Sequence, residues 1–96
     1  MMSEKVEDLT IAYEEDGKLL TKELDKAVLT KGAWATVMFR YQAWDKKKEE
    51  YGPEKYMVRR YRKMNGVYSP QSKFNISSRA QAEKVIEILQ GWIKEP

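Results

Sequence analysis

Residues Ala33–Trp44, AWATVMFRYQAW, lead through Asp45–Glu54, DKKKEEYGPE, into Lys55–Met64, KYMVRRYRKM, and the reading of this stretch decides the fold. In its first part Ala35, Val37, Phe39, Tyr41 and Ala43 alternate with Trp34, Thr36, Met38, Arg40, Gln42 and Trp44. A period of two belongs to an extended strand, and β-branched and aromatic residues suit a pleated surface better than a helix. The first set reads as a core face and the second as an amphipathic one. Lys55–Met64 reads as the returning antiparallel partner. Tyr56, Val58, Arg60, Arg62 and Met64 share one side, and Met57, Arg59, Tyr61 and Lys63 share the other. Neither side is cleanly apolar, as expected near a sheet edge or where a bulge switches the faces. The charged decapeptide between them is punctuated by Gly52-Pro53. It is long for a hairpin loop and is expected to extend both strands before it turns.

Downstream, Asn65-Gly66 signals a tight turn. Val67 and Tyr68 start a short strand that Ser69-Pro70 interrupts, because proline cannot donate to a ladder. Lys73–Ile76 is the last expected strand, with Phe74 and Ile76 facing inward. A helix follows: Ser78 can cap it, with Gln81 completing a capping box. Its apolar stripe is Ala82, Val85, Ile86, Leu89 and Ile93. Ile88 and Trp92 widen that stripe beyond the needs of one small sheet, so Val85, Ile88, Leu89 and Trp92 are the expected contacts of a second copy. The alternative is that Ile88 and Trp92 cover the chain's own N-terminal segment.

Upstream, Met1–Asp8 is polar and reads as a frayed end. Leu9–Tyr13 suits a short strand, and Asp16-Gly17 a tight turn. KLLTKELDKAVLT, Lys18–Thr30, is ambiguous. Leu20, Leu24 and Val28 would share a strand face with Lys22 and Lys26 between them, while Leu20, Leu24, Ala27 and Val28 would line a helix. An irregular or helix-like start that becomes strand at Ala27–Thr30 is the expectation, closed by a turn at Lys31-Gly32. The fold class is then α+β: a four-stranded antiparallel sheet, β-β-β-β-α, backed by one C-terminal amphipathic helix. Residues 1–26 form a poorly defined acidic segment, and 27–96 one domain.

The chain has 96 residues and contains neither cysteine nor histidine. Thiolate chemistry, disulfides and the commonest general base near neutral pH are therefore excluded. No phosphate-binding or dinucleotide glycine motif occurs. Asp45, Glu49, Glu50 and Glu54 alternate with lysines and read as a solvated loop rather than a catalytic pair. A non-enzyme without metal or cofactor is expected. No run approaches the ~20 apolar residues of a membrane span, and the N-terminus lacks the apolar core of a secretion signal. An intracellular, cytoplasmic or nucleoid-associated, protein is the default. Charge is unevenly spread. Residues 1–30 hold four lysines against eight acids, whereas residues 31–80 hold seven lysines and five arginines against four acids. The expected sheet is the basic part, a footprint suited to a phosphate backbone.

Aromatic residues interleave with these cations. Arg40, Trp44, Arg59 and Tyr61 are expected on one face, with Lys46, Lys47 and Lys48 at its rim and Arg60, Arg62 and Lys73 adjoining. Single-stranded nucleic acid offers π-faces for stacking and spaced phosphates for Lys and Arg. The helix, apolar on one side and near neutral on the other, is poorly suited to reading a duplex groove. The competing reading is a protein-interaction module that grips an unidentified partner with exposed aromatics.

The strand ending RYQAW, the basic return strand and the segment KFNISSRAQAEKVIEILQGWI together resemble the single-stranded-DNA-binding domain of the transcriptional coactivator positive cofactor four, including its bacterial relatives. The similarity spans Ala27 to Ile93. It implies a curved four-stranded sheet, pairing of two subunits through their helices, and a cationic channel for unpaired strands, in transcription or DNA maintenance. Arg40, Trp44, Arg59–Arg62 and Lys73 are the positions that match. The long hairpin insert, NGVYSPQSK before the last strand, and the acidic first thirty residues depart from the family pattern.

Overall fold

The computed structural model describes residues 3–94. A short 3-10 turn, Val6–Asp8, precedes six strands: β1 (Tyr13–Glu15), β2 (Lys18–Thr30), β3 (Trp34–Asp45), β4 (Glu50–Tyr51), β5 (Lys55–Met64) and β6 (Val67–Ile76). Helix α1 (Arg79–Lys94) ends the described chain. The strands form one curled antiparallel sheet in the order β1-β2-β3-β5-β6, with β4 pairing to β3. The architecture is the α+β sheet and helix expected. Its strand count is larger, because the N-terminal third joins the sheet.

β2 is strand throughout, so neither a helix nor a boundary at residue 26 interrupts it. Its puzzling pattern is explained by two bulges. Register slips between Glu23 and Asp25 and between Val28 and Thr30, leaving Leu24 and Leu29 unpaired. Each bulge shifts the side-chain phase by one. Lys22 therefore opposes Gln42 on one face, whereas Lys26 opposes Phe39 on the other.

The segment Ser3–Ala12 is not frayed, and Leu9–Ala12 adds no strand to the sheet. It lies as a strap across the face of the sheet that carries Ala35, Val37 and Phe39. Val6, Leu9 and Ile11 of the strap join those residues, Met57, Tyr61 and Tyr68 in one core. Lys26 clamps it by donating from Nζ to the carbonyls of Glu7 and Leu9, at 2.5 and 2.7 Å. Glu23 accepts from Thr10 Oγ1 and from the Ile11 amide. Ser3 pairs with Tyr68, whose amide donates to the Ser3 carbonyl. The strap thus gives a single sheet the second apolar layer it needs.

β6 runs unbroken through Pro70. It lies at the sheet edge, where a proline is tolerated; Pro70 pairs with Tyr61, and a register shift beside that pair skips Gln71. Asp16-Gly17 and Asn65-Gly66 both hold paired positive φ angles, as tight hairpins of this twist require. The connection after β3 turns at Lys46–Glu49. There Asp45 accepts from the Lys47 and Lys48 amides, and β4 extends the pairing as expected.

Ser78 Oγ accepts from the Gln81 amide, and Gln81 Oε1 reaches back to the Ser77 amide, one residue before the position expected. Helix α1 packs loosely on the sheet: none of its described residues is buried, and only Ala82 and Val85 are half-buried. Ile76 is buried, but Phe74, expected to face in, is exposed.

Leu9 is 0 % exposed. Leu9→Ala should therefore cost ~2–5 kcal/mol, measured by urea unfolding. A change within ±0.5 kcal/mol, the range of ordinary surface substitutions, would show that the strap is not part of the core.

Candidate nucleic-acid interface

Strand pairing sorts the basic residues onto two opposite faces. Val37 opposes Arg59, Phe39 opposes Met57 and Ala35 opposes Tyr61, all on the strap side. Trp34 opposes Arg62, Thr36 opposes Arg60, Met38 opposes Val58 and Arg40 opposes Tyr56, on the side that meets the helix. Lys73 pairs with Arg59 and so lies on the strap side. The expected single face of Arg40, Trp44, Arg59 and Tyr61 does not form. Arg40, Trp44, Arg60 and Arg62 share the helix side, while Arg59, Tyr61 and Lys73 share the strap side. Parity is the reason: with a period of two, Arg59 and Arg60 must point apart, and the register puts Arg40 with the even-numbered residues of β5.

Tyr61 is not a stacking platform. It is fully buried in the core, and its hydroxyl has no hydrogen-bond partner. Burial raises its pKa above the ordinary value of about 10, while the nearby Arg59 guanidinium pulls the other way without reaching hydrogen-bonding geometry. Tyr68, also buried, is satisfied: its hydroxyl donates to the Gly32 carbonyl at 2.7 Å.

On the helix side, Trp34 is 40 % exposed, with the Arg60 and Arg62 guanidinium carbons 4.5 and 5.5 Å from its ring centroid. Neither arginine makes an ion pair among the described residues. Trp34 was legible only as a member of the amphipathic face. Its arginine neighbours follow from the register, which no local pattern announces. Arg40 is partly committed, 3.7 Å from Glu54 and opposite Asp25. Trp44 is half-buried and already occupied: Lys18 Nζ sits 3.5 Å from its ring centroid, and Tyr51 packs edge-on at 5.0 Å. Lys18 and Lys22 thereby add to the helix side, a contribution their sequence context did not suggest. Lys46, Lys47 and Lys48 are exposed on the turn beyond Trp44, also without ion pairs among the described residues. The helix side thus carries a track along β3 that begins at Arg62, Trp34 and Arg60, passes Arg40, and ends at Trp44 and the lysine turn.

Of the expected dimer contacts, Val85 is half-buried against the sheet, while Ile88, Leu89 and Trp92 are exposed. Trp92 and Ile93 reach 67 % and 78 % exposure. A cleft of about 510 Å3 lies between Met38, Tyr56 and Ile76 of the sheet and Ala82, Val85, Ile86 and Leu89 of α1. No group of acidic side chains is placed to hold a metal, and no helix is long and apolar enough to cross a membrane, among the described residues.

No protein-family model matches the chain, and neither a curated protein nor a solved structure matches it.

Tyr61→Phe removes the orphaned hydroxyl. It should leave the protein as stable at pH 8 or stabilise it by up to ~1 kcal/mol. Because the folded-state pKa is raised, the unfolded chain ionises first, and wild-type stability falls as pH rises past about 10. The advantage of Tyr61→Phe should widen from pH 8 to pH 11 in urea unfolding. A loss of stability at pH 8 would mean that the hydroxyl has a partner.

Proposed function

We propose that this chain is a non-catalytic, homodimeric module that binds single-stranded DNA or RNA along its helix side, in the manner of the positive-cofactor-four-like proteins it resembles. The observation that carries the reading is the exposed Trp34 ring flanked by Arg60 and Arg62, neither paired with an acid among the described residues. An exposed cation–π contact is worth ~0.5–1 kcal/mol. A base stacked on an aromatic side chain is worth ~1–3 kcal/mol. A base therefore displaces a guanidinium from the ring, and the freed cation stays close enough to take the adjoining phosphate. Arg40 and the Lys46–Lys48 turn extend the charge along β3. Arg59, Tyr61 and Lys73 have no part in this surface. The exposed stripe of Ile86, Ile88, Leu89, Trp92 and Ile93 supports the dimer: two copies related by a two-fold axis bury the same stripe against each other.

A second reading rests on that same stripe: a protein-interaction module whose α1 seats a different partner. It requires a monomer in solution and no binding of nucleic acid.

The test is a titration with labelled single-stranded and duplex oligonucleotides at two salt concentrations, together with a solution mass. Single strands should bind more tightly, and with salt dependence. Arg60→Ala combined with Arg62→Ala should weaken binding and flatten the salt slope by ~1.4, two phosphate contacts at ~0.7 each, with thermal stability kept because both side chains are exposed. Equal weak binding to single strands and duplex, or an unchanged double variant, rejects the proposal. The mass should be twice that of the chain, and Leu89→Asp should halve it. A wild-type monomer would favour the second reading.

A further inference from the structure

A groove of about 540 Å3 crosses the strap side of the sheet, beside Thr10–Tyr13. Arg59 and Lys73 stand in its wall as direct cross-strand partners. Two like charges placed opposite each other destabilise a sheet, and neither makes an ion pair among the described residues. No acidic residue lines the groove among the described residues. Four other hollows each include a carboxylate: Asp25, Asp45, Glu15 with Asp16, and Glu83. Glu23, on the same side, is held by Thr10 and Ile11 of the strap. The cationic end of this groove is thus left without a counter-charge from its own lining.

The rest of the groove differs in character. Tyr41, half-buried against the core, forms part of its wall, and the exposed Tyr13 stands at its strap end. Asn75 and Thr21 contribute an amide and a hydroxyl. Cations and Asn75 on β5 and β6, with Tyr41, Tyr13 and Thr21 toward β2 and the strap, make a small-molecule site of ordinary size.

We propose that this groove binds a nucleoside monophosphate unit, with the phosphate between Arg59 and Lys73 and the base against Tyr41. Paired cations match a phosphate dianion, and a tyrosine face stacks any base. The unit is either a free nucleotide or the phosphorylated end of a strand. The site lies on the opposite side of the sheet from Trp34, Arg60 and Arg62, so it stands or falls independently of the function proposed above.

The experiment is a titration of the full chain with adenosine 5′-monophosphate, followed by backbone amide shifts. Shifts are expected at Thr10–Tyr13, Arg59 and Lys73–Asn75. Inorganic phosphate and adenosine, each using one end only, should bind at least about tenfold more weakly. Arg59→Gln and Lys73→Gln should each weaken binding by about tenfold, with Arg60→Gln unchanged. Lys73 is exposed on an edge strand, so its replacement keeps the test valid where Arg59→Gln disturbs folding. Displacement of the nucleotide by a 5′-phosphorylated but not an unphosphorylated dinucleotide assigns the site to strand ends. Failure of both to displace it assigns the site to free nucleotide. Unmoved amides at millimolar nucleotide, or full affinity in Lys73→Gln, would overturn the proposal.

Discussion

The pairing of Val37 with Arg59, under a strap that buries Leu9, is the constraint from which the remaining arrangement follows. A single sheet has two faces and needs a partner layer on at least one of them. Here the N-terminal strap supplies that layer with three apolar side chains, held by Lys26 and Glu23. Once one face of β3 is sealed, the parity of the strand leaves no freedom. Trp34, Met38, Arg40 and Trp44 must face the helix side, and each residue of β5 is assigned by the residue it opposes. A slip of one residue would bring Arg60 into the core and expel Tyr61, so the register is strongly specified by burial.

Two chemically distinct surfaces result. The helix side has an exposed indole with two guanidinium groups that make no ion pair among the described residues, and a helix of which only Ala82 and Val85 are half-buried among the described residues. The strap side has a sealed core bordered by a cationic groove. The net charge of the whole chain, +3, conceals an uneven distribution, because the acids concentrate in the strap and the first hairpin while the cations concentrate in β5 and the Lys46–Lys48 turn. The described residues span only 53 × 39 × 17 Å, and Ile86, Ile88, Leu89, Trp92 and Ile93 of α1 stay exposed.

Much of the fold was legible because it is local. The alternation Ala35, Val37, Phe39 announced β3 and its core face. Asp16-Gly17 and Asn65-Gly66 announced hairpins, and Ser78 with Gln81 announced the helix start. Non-local features were hidden. The bulges at Leu24 and Leu29 scramble the alternation of β2, so Lys22 and Lys26 looked like two charges on one face when they lie on opposite faces. Pro70 looked like a break because its edge position depends on strand order. The strap was unreadable, since Val6, Leu9 and Ile11 follow neither a helix nor a strand period; their burial is decided by the face they cross. The candidate site was legible in its residue types but not in its grouping. Arg59 and Arg60 had to part, and only the partner strand decides which of them joins Trp34.

Interstrand proton NOEs in solution test this account most directly. The register requires contacts linking Val37 with Arg59 and Thr36 with Arg60, together with contacts from the Leu9 methyls to the core cluster of Val37 and Phe39. A pattern linking Val37 with Arg60, or Leu9 methyls without core contacts, would place the basic residues on other faces and contradict the account.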